Sequence, residues 1–237
     1  MRRFRRHKLF VSPAVHVVRK VMHGQTVFFS VRNPKDAIQR EHISGAFYET
    51  EELEIIAGHF PVGGVFVDIG ANVGNHTLYV AKFLHASKIF VFEPNPQAID
   101  ILESNIYLNE IEHICDRSFL GVGLSSKKKS GLSMRIPPRN LGGSRMVEGE
   151  GNLETYRGDE LLGDVRPDMI KIDVEGMEID VLHGLSGIIE QCSPKMFIEV
   201  NNENSEQFAQ WLKTHSYKIL QEYKRYRSNT NYLIAHV

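Results

Sequence analysis

The chain has 237 residues, 42% of them hydrophobic and 24% charged, which is enough for a sizeable core and far from the composition of a disordered segment. Its two cysteines, Cys115 and Cys192, cannot build a disulfide framework, and no apolar run nears the roughly 18 residues of a membrane helix, so a disulfide-stapled scaffold and a membrane span are excluded. The net charge of −1 hides an asymmetry: residues 1–35 carry nine Lys and Arg and no acid, leaving 19 bases against 29 acids in the rest.

The basic arm is placed to steer an anionic partner, though its field is screened beyond a Debye length of ~8 Å. The opening MRRFRRHKLF is followed by Pro13 and His16 rather than by an unbroken apolar stretch. No targeting signal is therefore expected, and the two cysteines fit a reducing compartment, so the expected location is cytoplasmic. Gln25–Val31 (QTVFFSV) has the β-branched and aromatic content of a strand and ends at Asn33–Pro34. Thr50 is the expected N-cap of a helix running to His59, with Glu51 and Glu52 facing its positive end. Residues 1–60 thus read as a basic extension holding a strand and a helix, and 61–237 as the main domain.

From residue 65 the pattern becomes regular. Val65–Ile69 (VFVDI) is a short buried strand, followed by a glycine-rich turn and a helix over about 75–85. Lys88–Glu93 is the second strand, and Asn95–Pro96 reads as N-cap and first helical residue of the next helix. A third strand falls within His113–Leu124, and Ser125–Glu150 reads as a hairpin and loop insertion. Asp168–Val174 and Lys195–Val200 are further strands around one helix over about 178–191. Asn204 and Gln207 form a capping box for a helix to His215. Tyr217–Tyr223 and Asn231–Val237 close the chain as an antiparallel pair. Alternating strands and helices predict a doubly wound, mainly parallel, seven-stranded α/β sheet with an antiparallel terminal hairpin, its ligands outside the carboxyl ends of the strands.

The strongest chemical signal is VFVDIGANVGNHT, residues 65–77. Gly70 and Gly74 let the backbone turn sharply beside a ligand, and the helix that follows offers its amides. A dinucleotide fingerprint has a third, middle glycine. Here that glycine is absent and Asp68 stands two residues before the first one, which opposes a pyrophosphate and suits an ammonium or sulfonium. Glu93, at the end of the second strand, is placed to hydrogen-bond a ribose diol. An adenosine with a charged amino-acid end is S-adenosylmethionine. The candidate cofactor residues are Asp68, Gly70, Ala71, Asn72, Gly74, Glu93 and Asn95.

The third cluster is Lys171, Asp173, Glu175 and Glu178 in DMIKIDVEGMEIDVLHG. Asp173 falls at a carboxyl end, with Glu199 at the corresponding end of the next strand, so the two flank one site if the strands are neighbours. They are the candidate catalytic pair, Asp173 as general base and Glu199 as its electrostatic partner. Lys171 and Glu178 read as a surface salt-bridge cluster. His76 and His183 are the alternative bases. No histidine or cysteine spacing indicates zinc, and no metal is expected, although Asp173 with Glu199 would suit Mg²⁺.

DIGANVG, FEPNP, NLGGS (140–144), YRGDELL, KIDVEGMEIDVLHG and FIEV follow one another in an order that resembles the FkbM-type S-adenosylmethionine-dependent methyltransferases over about residues 45–202. The resemblance implies a class I methyltransferase fold, O-methylation of a sugar, polyketide or related metabolite, cofactor contacts at Asp68, Gly70, Asn72, Gly74 and Glu93, and an acceptor site near Asp173. Gly121 and Gly123 depart from the family pattern, so the adenine-contacting residue stays unassigned. The alternatives are an NAD-dependent oxidoreductase and a cofactor-binding module without catalysis. Nucleic-acid methylation is weaker still, since no basic stripe is interleaved with aromatics.

Overall fold

The structure is a computed structural model that describes residues 15–237. The basic arm's first cluster, Arg2 to Lys8, lies outside the described residues. The described residues begin with a hairpin, β1 (His16–Met22) and β2 (Gln25–Val31), then α1 (Ala37–Ser44) and α2 (Thr50–Ala57). β3 (Val65–Ile69), α3 (Asn75–Phe83), β4 (Lys88–Phe92), α4 (Pro96–Leu108) and the two-residue β5 (Cys115–Asp116) follow. An insertion comes next: β6 (Val122–Leu124), β7 (Lys129–Arg135), β8 (Arg145–Glu148), β9 (Leu153–Tyr156) and α5 (Gly158–Leu162). The rest is β10 (Met169–Ile172), α6 (Glu178–Gly184), α7 (Ser186–Cys192), β11 (Lys195–Asn201), α8 (Ser205–Thr214), β12 (Tyr217–Tyr223) and β13 (Asn229–His236).

The main sheet has seven strands in the order β12-β13-β11-β10-β3-β4-β5. Neighbours from β11 to β5 run parallel, and β13 and β12 add the antiparallel hairpin at one edge. The doubly wound sheet is as the sequence predicts. Alternation along each strand splits the core into two faces: Phe66, Ile89, Val91 and Met169 join one cluster, and Val67, Ile69, Ile170 and Ile172 the other. Val27, Phe29, Leu53 and Ile56, all buried, belong to the first cluster. At about 1.5–3 kcal/mol for each fully buried side chain, they hold residues 25–60 firmly on the sheet. The strand order reverses between the parallel neighbours β3 and β10, so the carboxyl ends of those strands, Ile69–Gly70 and Ile172–Asp173, form the crevice where ligands bind in such sheets.

Several local expectations give way. The third strand of the main sheet is only Cys115–Asp116, because Val122–Leu124 pairs instead with β9 in a separate four-stranded sheet, β6-β9-β7-β8. The expected hairpin insertion is β7 with β8 in that sheet. The helix over 178–191 is two helices broken at Leu185. Gly184 meets the Ser125 carbonyl where a Cβ would stand, and the Asp159 carboxylate accepts the amides of Gly187 and Ile188 at 3.1 and 3.0 Å, capping a new start. Asn204 forms no capping box; its amide donates to Gly176 and to Glu178 instead. Thr50 is the first residue of α2 rather than its cap, since the preceding Glu49 takes a left-handed conformation with φ 58°. None of the described helices is long and apolar enough to cross a membrane.

Candidate active site

The turn after β3 is built on backbone constraints. Gly70, at φ 77°, lies against the Asp173 carbonyl, leaving no room for a Cβ. Gly74, at φ 86°, packs on Leu102, where a Cβ would fall 2.5 Å from its Cδ1. Between them Asn72 is also left-handed, at φ 51°, and its amide donates to Glu93 Oε2 at 2.7 Å. Glu93 Oε1 accepts the Asn95 amide, also at 2.7 Å. Burial pushes the Glu93 carboxyl, only 6% exposed, up to about 7, while these two amides hold it back. Asn95 caps α4 through the Gln97 amide, as the sequence predicts, and its own amide reaches Ser144 in the insertion. Gly70, Asn72, Glu93, Pro94 and Val122, together with Met134 and Met146, line a narrow cleft of about 50 Å³.

Asp68 behaves differently from its sequence expectation. Its carboxylate has no exposed surface; one oxygen accepts from Thr77 at 2.6 Å and the other pairs with Lys171 Nζ at 3.3 Å. Lys171, the register partner of Asp68 on the adjacent strand, also donates to the Gly70 carbonyl at 2.6 Å. The pair therefore braces the turn from beneath. The surface reading of Lys171 and Glu178 is corrected, because both are buried. Burial disfavours the lysine's charge, but Asp68, Asp173 and Glu49 more than offset it, and its pKa rises. Glu178 accepts from the Asn201 amide and from Asn204.

Beside the cleft opens a larger cavity of about 780 Å³ with an acidic floor. β10 and β11 are neighbours, so Asp173 and Glu199 do meet. With Glu175 they bring three carboxylate oxygens within 4.8 Å of one another, a donor set of the hard-oxygen kind. Burial pushes Glu199 up to about 10, aided by repulsion from Asp173, Glu175 and Glu49. Burial and Asp173 raise Glu175 to about 7 against the pull of Arg145. Asp173 is raised by burial, opposed by Lys171 at 3.6 Å.

A fourth carboxylate, Glu49, is also in the cavity wall and is raised to about 8, by burial first and then by Asp173 and Glu52. Sequence reasoning missed it; it sits 124 positions before Asp173, and its left-handed backbone leaves no trace in local residue pattern. His76 lines the same cavity and is held neutral, its pKa lowered to about 3 by burial and by Lys171. His183 is exposed on α6 and takes no part in the cavity wall. Across the roof, Arg225 holds Glu52 through two bonds of 2.7 Å and also pairs with Glu51, while the hydroxyls of Tyr48 and Tyr226 meet.

Residues 68–226 match the methyltransferase FkbM domain model. The hexuronic acid methyltransferase AglP of Haloferax volcanii is 28% identical over 180 residues, covering 72% of this chain and 69% of that protein. The fold is shared with the FkbM methyltransferase of Methylobacillus flagellatus (TM-score 0.56, 16% identity, 86% of this chain and 56% of that one). It is also shared with M. jannaschii TYW2, solved with AdoMet (TM-score 0.50, 13% identity, 96% of this chain and 87% of that one). A match over 68–226, which takes in the end of β3, all of β10 and β11, and the acids at their carboxyl ends, makes the chain a member of the FkbM family of methyltransferases.

Proposed function

We propose that this methyltransferase uses S-adenosylmethionine to methylate a hydroxyl of a sugar, polyketide or related metabolite. The observation that carries the reading is that the glycine-lined cleft and the acidic cavity share walls at Gly70, Asn72, Gly142, Asp173 and Glu175. A cofactor on one side and an acceptor on the other would meet beside Asp173. The residues fit the cofactor: Gly70 and Gly74 keep the turn low, Asn72 carries a buried side-chain oxygen with no partner, and Glu93 lines the cleft with a carboxylate oriented by two amides. When bound, S-adenosylmethionine supplies an electrophilic sulfonium methyl.

The chain's own residues then have separate tasks. Glu93 takes the ribose hydroxyls, and the backbone of residues 70–74 takes the amino-acid end. Asp68 and Lys171 keep that turn in place without touching the ligand. Asp173, its basicity raised by burial, accepts the acceptor's hydroxyl proton as the new bond forms. Glu199, protonated at neutral pH, shares the negative charge of the floor by donating rather than adding a further carboxylate. Holding both reactants at the shared wall contributes the larger part of the acceleration. The name of the Haloferax relative supports a sugar-derived acceptor.

The test has two arms. Calorimetry with S-adenosylmethionine and with NADH should show binding of the first alone. Transfer of labelled methyl to a panel of hexoses, uronates and macrolides should then label an oxygen. Failure to bind S-adenosylmethionine would overturn the cofactor assignment, and label on nitrogen the hydroxyl assignment.

A further inference from the structure

The insertion hairpin stands between the two compartments, and its last two rungs face opposite ways. Met134 pairs with Met146, and both line the narrow cleft. One residue further along each strand, Arg135 pairs with Arg145, and both line the acidic cavity. That is the period-two alternation of a strand, with the apolar rung given to one compartment and the cationic rung to the other. Directly opposed like charges destabilise an antiparallel pair. Here the repulsion is little relieved by the protein: among the described residues Arg135 has no ion-pair or hydrogen-bond partner, and Arg145 has only Glu175, at 3.6 Å. A negative group lying between the two guanidinium forks would relieve it and is the ligand that such forks bind best.

We propose that Arg135 and Arg145 form an anion-binding rim that selects a hydroxyl acceptor carrying a carboxylate, phosphate or sulfate. The proposal rests on the methyltransferase reading above and deepens it by naming the acceptor's charge. The floor and the rim divide the work. At the floor Asp173 accepts a hydroxyl and the protonated Glu199 donates, so that end suits a hydroxyl rather than a second anion. The rim holds the charged substituent on the Glu175 side of the floor, where Arg145 stands 3.6 Å from that carboxylate, within a 780 Å³ space that accommodates a sugar. Such an acceptor enters in one orientation only, hydroxyl toward Asp173. A neutral sugar lacks that orienting contact.

The full-length chain is titrated with inorganic sulfate at constant ionic strength, with the Nε–Hε resonances of its arginines followed by NMR. Saturable shifts are expected at Arg135 and Arg145, with the exposed Arg139 following only the bulk salt. Arg135→Ala should weaken the response at Arg145 by at least about tenfold, and Arg145→Ala that at Arg135. D-glucuronate should displace sulfate and D-glucose should not. Unsaturable shifts equal to those of Arg139, or equal displacement by both sugars, would overturn the rim. S-adenosylhomocysteine affinity is measured on the same samples. If it falls about tenfold in either variant, the rim serves the cofactor's carboxylate and the acceptor proposal is lost. If S-adenosylhomocysteine fails to bind the wild type, the methyltransferase reading fails instead, while the sulfate arm still decides the rim.

Discussion

The cleft and the cavity are each lined by carboxylates, yet they treat them in opposite ways. In the cleft Glu93 is met by two backbone amides at 2.7 Å, and beneath it Asp68 is met by Thr77 and Lys171. In the cavity Asp173, Glu175, Glu199 and Glu49 face one another, with Lys171 and Arg145 as the nearby cations, and the last three are pushed up to about 7, 10 and 8. The first compartment is finished by the fold itself. The second is left electrostatically incomplete, which is the condition of a surface that expects something else to supply protons or charge. A constant partner such as a cofactor is served by a rigid backbone cradle, whereas chemistry on the acceptor needs groups whose protonation can change.

The largest expected effect falls on the cavity. Asp173→Asn keeps the shape and removes the base, so kcat should drop about 10²- to 10⁴-fold while S-adenosylmethionine affinity is nearly retained. An unchanged kcat with saturating acceptor would move the base to His76. If the loss appeared as weaker cofactor binding, the two compartments would not be separate in function. Beneath the cleft, Lys171→Met leaves Asp68 buried and uncompensated and should cost about 3–5 kcal/mol in urea unfolding.

Within the cleft, Glu93→Ala should weaken S-adenosylmethionine about a hundredfold by calorimetry, from the loss of two hydrogen bonds to a charged group. The same carboxylate sets a pH dependence. Its ligand-free pKa is about 7 and the ionised form accepts the ribose hydroxyls, so affinity should fall as pH drops below 7 and level off above it. Affinity that is flat from pH 6 to 8 would remove Glu93 from the ribose.

A last test addresses the cavity's incompleteness directly. Glu199 has a folded-state pKa near 10 against an ordinary 4.5, so it favours the fold below 4.5, and that contribution is lost as pH rises toward 10. Glu199→Gln does not titrate. Its melting temperature should exceed that of the wild type by an amount that grows from pH 5 to pH 9, on the order of 2–4 °C per kcal/mol recovered. A gain independent of pH would mean the carboxylates do not strain one another.

Much of this was legible in the chain. β3, β4, β10 and β11 are short, mostly buried runs dominated by Val, Ile, Phe and Met, and such runs are recognisable because nearly every position inside them is apolar. The pairing of Asp173 with Glu199 followed from adjacency of two strand ends. Lys171 was misjudged because charge usually marks a surface, although a lone lysine inside MIKI beside a strand carrying Asp68 is the pattern of a buried cross-strand pair. The break at Leu185 had a cue in Gly184, but its cause lies in Ser125 and Asp159, distant in sequence. Glu49, Tyr48 and Arg225 had no cue at all, since their place depends on the packing of the first sixty residues against the terminal hairpin. The facing arginines depended on the register of an irregular hairpin, which residue type alone does not determine.

The bond between Arg225 and Glu51 and Glu52 has a consequence for how substrate range can diverge. Tyr48 and Glu49 on one side of this tie, and Tyr226, Ser228 and Asn229 on the other, all line the cavity. The width available to an acceptor is thus set by a clasp between two segments 173 positions apart. Apart from Arg225 and Tyr226, these residues fall outside the family-matched span of 68–226. Shortening or lengthening either arm of the clasp would resize the chamber without altering β3, β10 or β11, so the cavity's width can change while the acids at those strand ends stay where they are.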